Sequence, residues 1–450
     1  MNLVGASILV VLICVVLGAP RRMALLGMMA GVLYLTQGQQ IQVLGLNLFS
    51  VRFLELAGFI RVMSRREFSF TTLNKVDQAL IWLYSYATIV FLLRSSEGQA
   101  SAIGTAVDAF LCYFTFRGLV GNMEEFRWFL RAFPVLLAPY ALMVAYESFT
   151  HHNPFAAMGG VADGTWGRGN RIRCFGSFRQ PDTLGMFAAS FLALYVGLAC
   201  ISRERKRAII GICCCLIIGW VANSGGAAAA AAMGLLGWLF WRWRTQMRKV
   251  RWGIVGMIAG LALVMTAPVW YIFDRVSSIT GGDGWHRSYL IDVAWQHLGK
   301  WWFVGMPIKE TSGWFAYDLA ATGGADISNQ YVSFGLNAGV GAIVLFVMLL
   351  TRTYGALGQA MTAVRSSSSE TNEIEFLFWG LGVMLAVHIT NWFGITYFDQ
   401  MYVVWFMQLA AVSNLSEQRL RVSDEIVKEA LETEENLDLR HNTCLYLHYE

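Results

Sequence analysis

The amino-acid sequence predicts an all-α polytopic membrane protein, and three observations carry that prediction. Of 450 residues 56% are hydrophobic and only 14% charged, with a mean hydropathy of +0.49, whereas soluble chains carry about 25% charge. Apolar windows approaching the roughly 20 residues needed to cross ~30 Å of hydrocarbon recur about thirteen times. Basic residues gather in alternate connections between those windows. Seven prolines and the lack of any long polar tract exclude collagen-like and disordered classes.

In chain order the windows are approximately 3–19, 23–38, 46–62, 77–94, 102–119, 128–147, 182–200, 208–222, 225–241, 253–272, 329–351, 375–393 and 400–414. Twelve to thirteen transmembrane helices are therefore expected, within a domain spanning 1–414. The first window follows Met1 and Asn2 with no basic segment, so a retained span is expected and not a cleaved signal. Twenty Lys and Arg follow odd-numbered windows, against nine on the other side. Basic loops resist translocation, so the C-terminus is expected in the cytoplasm and the long loops 148–181 and 273–328 outside. The tail, 415–450, holds nine acidic and four basic residues, with Leu420, Val422, Ile426 and Ala430 near helical spacing. It is expected to form an amphipathic cytoplasmic helix. The eight cysteines fall mostly in apolar runs without metal-ligand spacing and read as small core residues.

A net charge of +4 is too small to argue for nucleic acid. No phosphate-binding GxxxxGK[ST], no HExxH and no carboxylate-rich loop occurs, so neither a nucleotide, a metal nor any other cofactor is expected. The densest constellation is Arg168, Arg171, Arg173 and Arg179, with no acid between the first and last. Planar guanidinium forks suit phosphate oxygens, and a diphosphate fits four of them. Lipid headgroups and distant carboxylates are the bland alternatives. Pro181, Asp182 and Thr183 then start a helix whose positive end faces the same surface, the latter two side chains reading as a cap.

In the second loop Arg287 precedes an interfacial helix with Trp295, Trp301 and Trp302 as anchors. His286 and His297 beside it are candidate proton acceptors, although a lone interfacial histidine is more often structural. Ionisable groups inside spans tend to mark function. Here they are Arg52 and Glu55, three residues apart and able to neutralise one another, with Asp108, Glu147 and His388. The turn Ser224, Gly225 and Gly226, and likewise Gly335 and Gly339, read as close helix packing.

Arg173, Gly176, Phe178, Pro181, Leu184 and Gly185, the Ser224 to Gly226 turn, Arg287 with Trp295 and Gly305, and Ser328, Asn329 and Tyr331 with Gly335 and Gly339 together resemble the O-antigen ligase and O-antigen polymerase superfamily. The resemblance runs from about 165 to 410. It implies a GT-C-like fold and an inverting, metal-independent glycosyl transfer on the periplasmic side of the bacterial inner membrane. The donor would be a glycan on undecaprenyl diphosphate and the acceptor a hydroxyl on a glycan or lipid, with membrane lipids and polysaccharide-assembly proteins as partners. Arg173 and Arg287 match positions that hold the diphosphate. Arg171, Arg179, Arg52, Asn329, Tyr331, Asp108, Glu147 and His388 are expected around the substrate. Ligases carry a histidine before the asparagine where this chain has Ser328, a poor base. The base is then Asp326, His286 or His388, or the protein is a polymerase extending lipid-linked glycan, which is the favoured reading. A ligase, and outside enzymes a polysaccharide transporter, flippase or assembly scaffold, are the rivals.

Overall fold

The computed structural model describes the chain except residues 1, 44–45, 169–170, 281–283, 316–322, 367–370 and 447–450. It is 78% helical, with little sheet. Asn2 caps α1 (Leu3–Gly18), its side chain accepting from the Gly5 N–H at 2.8 Å. Next come α2 (Arg21–Tyr34), the hairpin β1 (Gln40–Val43) and β2 (Leu46–Phe49), and α3 (Ser50–Ser64). The expected window at 46–62 thus opens as a strand, and its helix begins only at Ser50. Asn74 and Asp77 close a reciprocal capping box on α4 (Lys75–Arg94).

After α5 (Gln99–Leu119), α6 (Met123–Ala132) buries Phe126, Phe129 and Leu130 and turns Glu124, Arg127 and Arg131 outward or half outward. Pro134 starts α7 (Pro134–Thr150), since proline suits a helix's first turn. The loop 148–181 is ordered over its described part: a short 3₁₀ turn leads into the hairpin β3 (Trp166–Arg168) and β4 (Arg171–Arg173). Then follow α8 (Pro181–Ala199), α9 (Arg205–Ala222), α10 (Gly225–Leu239), α11 (Met247–Val264), α12 (Ile272–Thr280), α13 (Gly284–Gln296) and α14 (Leu298–Trp301). Last are α15 (Gln330–Ser366), α16 (Thr371–Asn391) and α17 (Gln400–Tyr446).

The protein is a mostly helical, multi-pass membrane protein. Among the described residues five helical stretches are long and apolar enough to cross a bilayer, or six if the pair Gly225–Val264 and Val269–Arg275, bent by 96°, forms one. Other windows are helical but shorter, as in α1, α2 and α3, or carry charge within them, as at Asp108 and Arg117 of α5.

α15 is broken at Ala338 and Gly339. The freed Leu336 carbonyl accepts from the Met306 N–H at 2.9 Å and from Arg94 at 2.7 Å, and the Val340 N–H donates to the Trp302 carbonyl at 2.8 Å. Backbone groups released within a bilayer need such replacements. Residues 302–306 therefore seat in the break, leaving no room for a side chain at 339, where a Cβ would lie 2.2 Å from the Phe303 oxygen.

Ionic pairs collect where α17 leaves the bundle, here termed the tail end. Arg117, almost wholly buried, donates to both Asp77 oxygens (2.8 and 2.9 Å), to Glu417 (2.7 Å) and to Asn414 (2.7 Å). Glu375 pairs with Arg365 and Arg244, and Glu204 with Arg131. At the opposite, loop end the described parts of loops 148–181 and 273–328 both reach the turn between α9 and α10, where Asn223 donates to the Ile172 carbonyl and Gly226 lies against Arg287.

Several expectations are corrected. The tail is no separate helix, because α17 runs unbroken for 47 residues from the last span; the side chains of Ile426 and Ala430 lie outside the described residues. Arg52 does not pair with Glu55: its fork reaches across to Asp108 on α5 at 2.7 Å. Trp301 is no interfacial anchor, being 5% exposed with its indole N–H donating to the Ala294 carbonyl, while Trp295 and Trp302 are exposed. Cys14, Cys200 and Cys213 are exposed, so they lie on the bundle's surface and not in its core.

Candidate functional site

The motif around Arg173 is shaped by a buried carboxylate. Glu147, at the end of α7, accepts the backbone N–H groups of Phe175 (3.0 Å) and Gly176 (2.9 Å). Gly176 has φ +57°, and Asn153 donates to its carbonyl at 2.8 Å. From the other side the Cys174 N–H donates to the Val221 carbonyl at the end of α9. Arg173 is thereby held between α7 and α9, and Glu147 acts through that turn. A carboxylate so engaged is a positioning group more than a substrate contact.

Arg173 is 6% exposed and its Nη2 donates to Asp182 Oδ1 at 2.8 Å, while its Nε is buried without a hydrogen-bond partner among the described residues. Asp182 does not cap α8, as the sequence suggested: Gln180 occupies the cap position. The same Asp182 oxygen instead accepts the Ser224 hydroxyl, from the residue that caps α10. Arg287 arrives from α13 at this turn. A Cβ built on Gly226 would stand 3.1 Å from its Nη2, and one on Gly394 would stand 2.9 Å from its Cζ. The two glycines thus leave the room that the Arg287 guanidinium fills. Gly226 was expected to serve helix packing, and its bare Cα serves Arg287 as well.

Two arginines far apart in sequence consequently flank the Ser224 to Gly226 turn at the N-terminus of α10. Unsatisfied N–H groups and the helix dipole make that end favourable for anions. The loop joining α16 to α17 extends the site: Gly394 touches Arg287, Thr396 donates to the Ile327 carbonyl at 2.7 Å, and Asp399 meets Arg179 Nε at 3.1 Å. Asp399 has φ +56°, a left-handed conformation that is strained for a residue with a side chain. Burial pushes its carboxyl up to about 6, against the pull of Arg179 and Arg52.

The remaining expected residues divide. Arg179 is half exposed and lies over the Phe398 ring. Asn329 caps α15, accepting from the Tyr331 and Val332 N–H groups at 3.0 and 3.1 Å, and Tyr331 packs on Phe346 and Phe393. His388 is wholly buried, bonded to Tyr397 and Gln408 and packed on Trp392 and Trp405. Its ring nitrogens are both engaged, so it serves the core and not the arginine pair. Asp108 is held by Arg52. His286 stacks on Phe315 with centroids 4.4 Å apart, His297, between α13 and α14, bonds the Val293 carbonyl of α13, and Asp326 is exposed near Ser328. The side chains of Arg168 and Arg171 lie outside the described residues, although their backbones pair across the hairpin. Among the described residues no three His, Cys, Asp or Glu side chains gather at metal-binding distances.

Sequence reasoning missed Asp182, Ser224 and Asp399 as parts of the site. An acid three residues past Arg179, next to the helix-starting proline, was the available signal for the first. No protein-family model matches the chain, and no curated protein matches its sequence.

Proposed function

We propose that the protein transfers a glycan from undecaprenyl diphosphate to an acceptor hydroxyl at the loop end, which faces the periplasm across a bacterial inner membrane. The observation that carries this reading is the approach of Arg173 and Arg287 to one helix N-terminus, where a diphosphate would meet two guanidiniums and free backbone N–H groups. The acceptor oxygen attacks the anomeric carbon with inversion. The bond from that carbon to the diphosphate breaks, the leaving diphosphate takes the electron pair, and the two arginines stabilise the growing negative charge. The acceptor proton passes to a base at the loop end, for which His286, Asp326 and Asp399 are the candidates. The GT-C-like arrangement with twelve to thirteen spans, and partnership with polysaccharide-assembly proteins, belong to the same proposal.

A polymerase is favoured over a ligase because Ser328 replaces the ligase histidine and its hydroxyl, buried without a hydrogen-bond partner among the described residues, is no base at neutral pH. The test is incubation of purified wild type, Arg173→Ala and Arg287→Ala with a lipid-diphosphate-linked repeat unit, read by gel and mass spectrometry. A ladder of longer lipid-linked glycans from the wild type, falling about 10²- to 10³-fold in either variant, supports the reading. No extension by folded wild type across varied repeat units overturns the polymerase and brings forward first the ligase, then the transporter.

A further inference from the structure

We propose that a groove at the tail end, between α11, α15 and the extension of α17, holds the headgroup of an anionic membrane phospholipid. The proposal is independent of glycosyl transfer. Its first support is a gap in the helix packing: none of the 18 residues of α11 is buried. Among the described residues, a Cβ on Gly355 or Gly358 of α15, or on Gly253 or Gly256 of α11, would meet nothing within 4 Å. Helices in contact pack with axes about 8–10 Å apart, so this open space is not an ordinary interface. It forms a groove of about 600 Å³ lined by Arg251, Gly355, Gly358, Thr362, Ser366 and Ser423, within the roughly 300–1,000 Å³ of small-ligand sites.

The second support is charge. Arg251 is exposed and, beyond a 3.4 Å bond to its own helix's Met247 carbonyl, pairs with no carboxylate among the described residues. The same holds for Arg242, Arg248 and Lys249, whereas Arg244 is taken by Glu375. Cations left unpaired within one basic stretch suit an anion supplied from outside the fold.

Position decides the occupant. The Arg365 pair with Glu375 and the Arg419 bond to the Ala363 carbonyl set the groove level with the ring of ion pairs at the tail end. Trp252, next to Arg251 in the chain, and Trp243 are both exposed, as interfacial aromatics are. The groove opens beside a helix whose apolar side chains (Val255, Met257, Ile258, Leu263 and Val264) face outward into lipid. A headgroup is the anion present at that depth.

Full-length protein would be reconstituted in nanodiscs holding equal phosphatidylglycerol and phosphatidylcholine, extracted, and analysed by native mass spectrometry for retained lipid. Wild type is expected to keep phosphatidylglycerol in preference, with retention falling about fivefold in Arg251→Ala. The double variant Gly355→Leu and Gly358→Leu, which fills the groove at unchanged charge, should lose it as well. Equal retention of the two lipids overturns the proposal. So does unchanged retention in the glycine variant, which would mean diffuse charge attraction, and so does displacement by inorganic phosphate, which would mean a soluble-anion site. Should Arg251→Ala melt earlier than wild type, Arg251→Gln, which keeps the length, gives the same readout.

Discussion

At Asp182 a single carboxylate oxygen takes an N–H from Arg173 and the hydroxyl of Ser224, so two loops depend on one acid. Asp182→Asn should leave Arg173 charged but loosely held. Product formation is expected to fall by about 10-fold to 100-fold, with less effect on donor binding, because misplacement acts on the reacting geometry. Gly226→Ala probes the other arginine. Its methyl group, 3.1 Å from Arg287 Nη2, must shift the guanidinium by a few tenths of an ångström, and a loss of about 10-fold in turnover with an unchanged melting temperature is expected. Asp399 offers a pH test. Its carboxyl sits up at about 6 in the fold against an ordinary 3.8, so the folded protein holds that proton more firmly than the unfolded chain. The stability it contributes is fully present below the ordinary value and is lost as pH rises through about 6. Thermal melts from pH 4 to pH 7 should show a shallower decline in Asp399→Asn than in wild type.

Among the elements, α15 and its strap show how a span is broken without leaving backbone groups bare. The Met306 and Val340 N–H groups and Arg94 answer for the break at Gly339, which has φ +76° and no room for a side chain. Gly339→Ala combines a strained backbone with a clash on the Phe303 carbonyl, so a loss of about 2–3 kcal/mol is expected in detergent unfolding. The tail end relies on a different device, Arg117 held by Asp77, Glu417 and Asn414 from α4 and α17. Removing the arginine strands two carboxylates, one of them fully buried. Arg117→Ala should cost about 3–5 kcal/mol, and the same unfolding assay measures it. Smaller loss at both sites would mean that α15 and α17 move independently of the bundle.

Seen as a whole, the molecule has two unlike ends, one where two arginines approach the N-terminus of α10 and one where buried ion pairs sit beside an exposed basic stretch. The orientation proposed for them has a direct test in cells expressing otherwise cysteine-free protein. Ala162→Cys, in the exposed stretch before β3, should react with a membrane-impermeant maleimide in spheroplasts. Asp424→Cys, exposed on α17, should react only after permeabilisation. Labelling in the reverse order would put the arginine pair in the cytoplasm and end the periplasmic reading.

The membrane class, the helical content and the separate character of the two Arg-rich loops were legible in the chain, because hydropathy and the siting of Lys and Arg are local, additive properties. Boundaries were less so: the strand at Leu46–Phe49 and the unbroken 47-residue α17 depend on pairing and docking that apolar windows do not register. The site divides in the same way. Arg173 and Arg287 stood out as candidate phosphate-binding cations, but their approach across more than a hundred residues is a matter of how α8, α10 and α13 pack. Which acid each arginine meets was decided there too: Arg52 finds Asp108 and not its helical neighbour Glu55, and Arg179 finds Asp399. Sequence sets which charges are costly to bury; only tertiary structure, by bringing a partner within about 3 Å, decides which of them are satisfied and which stay free for a ligand.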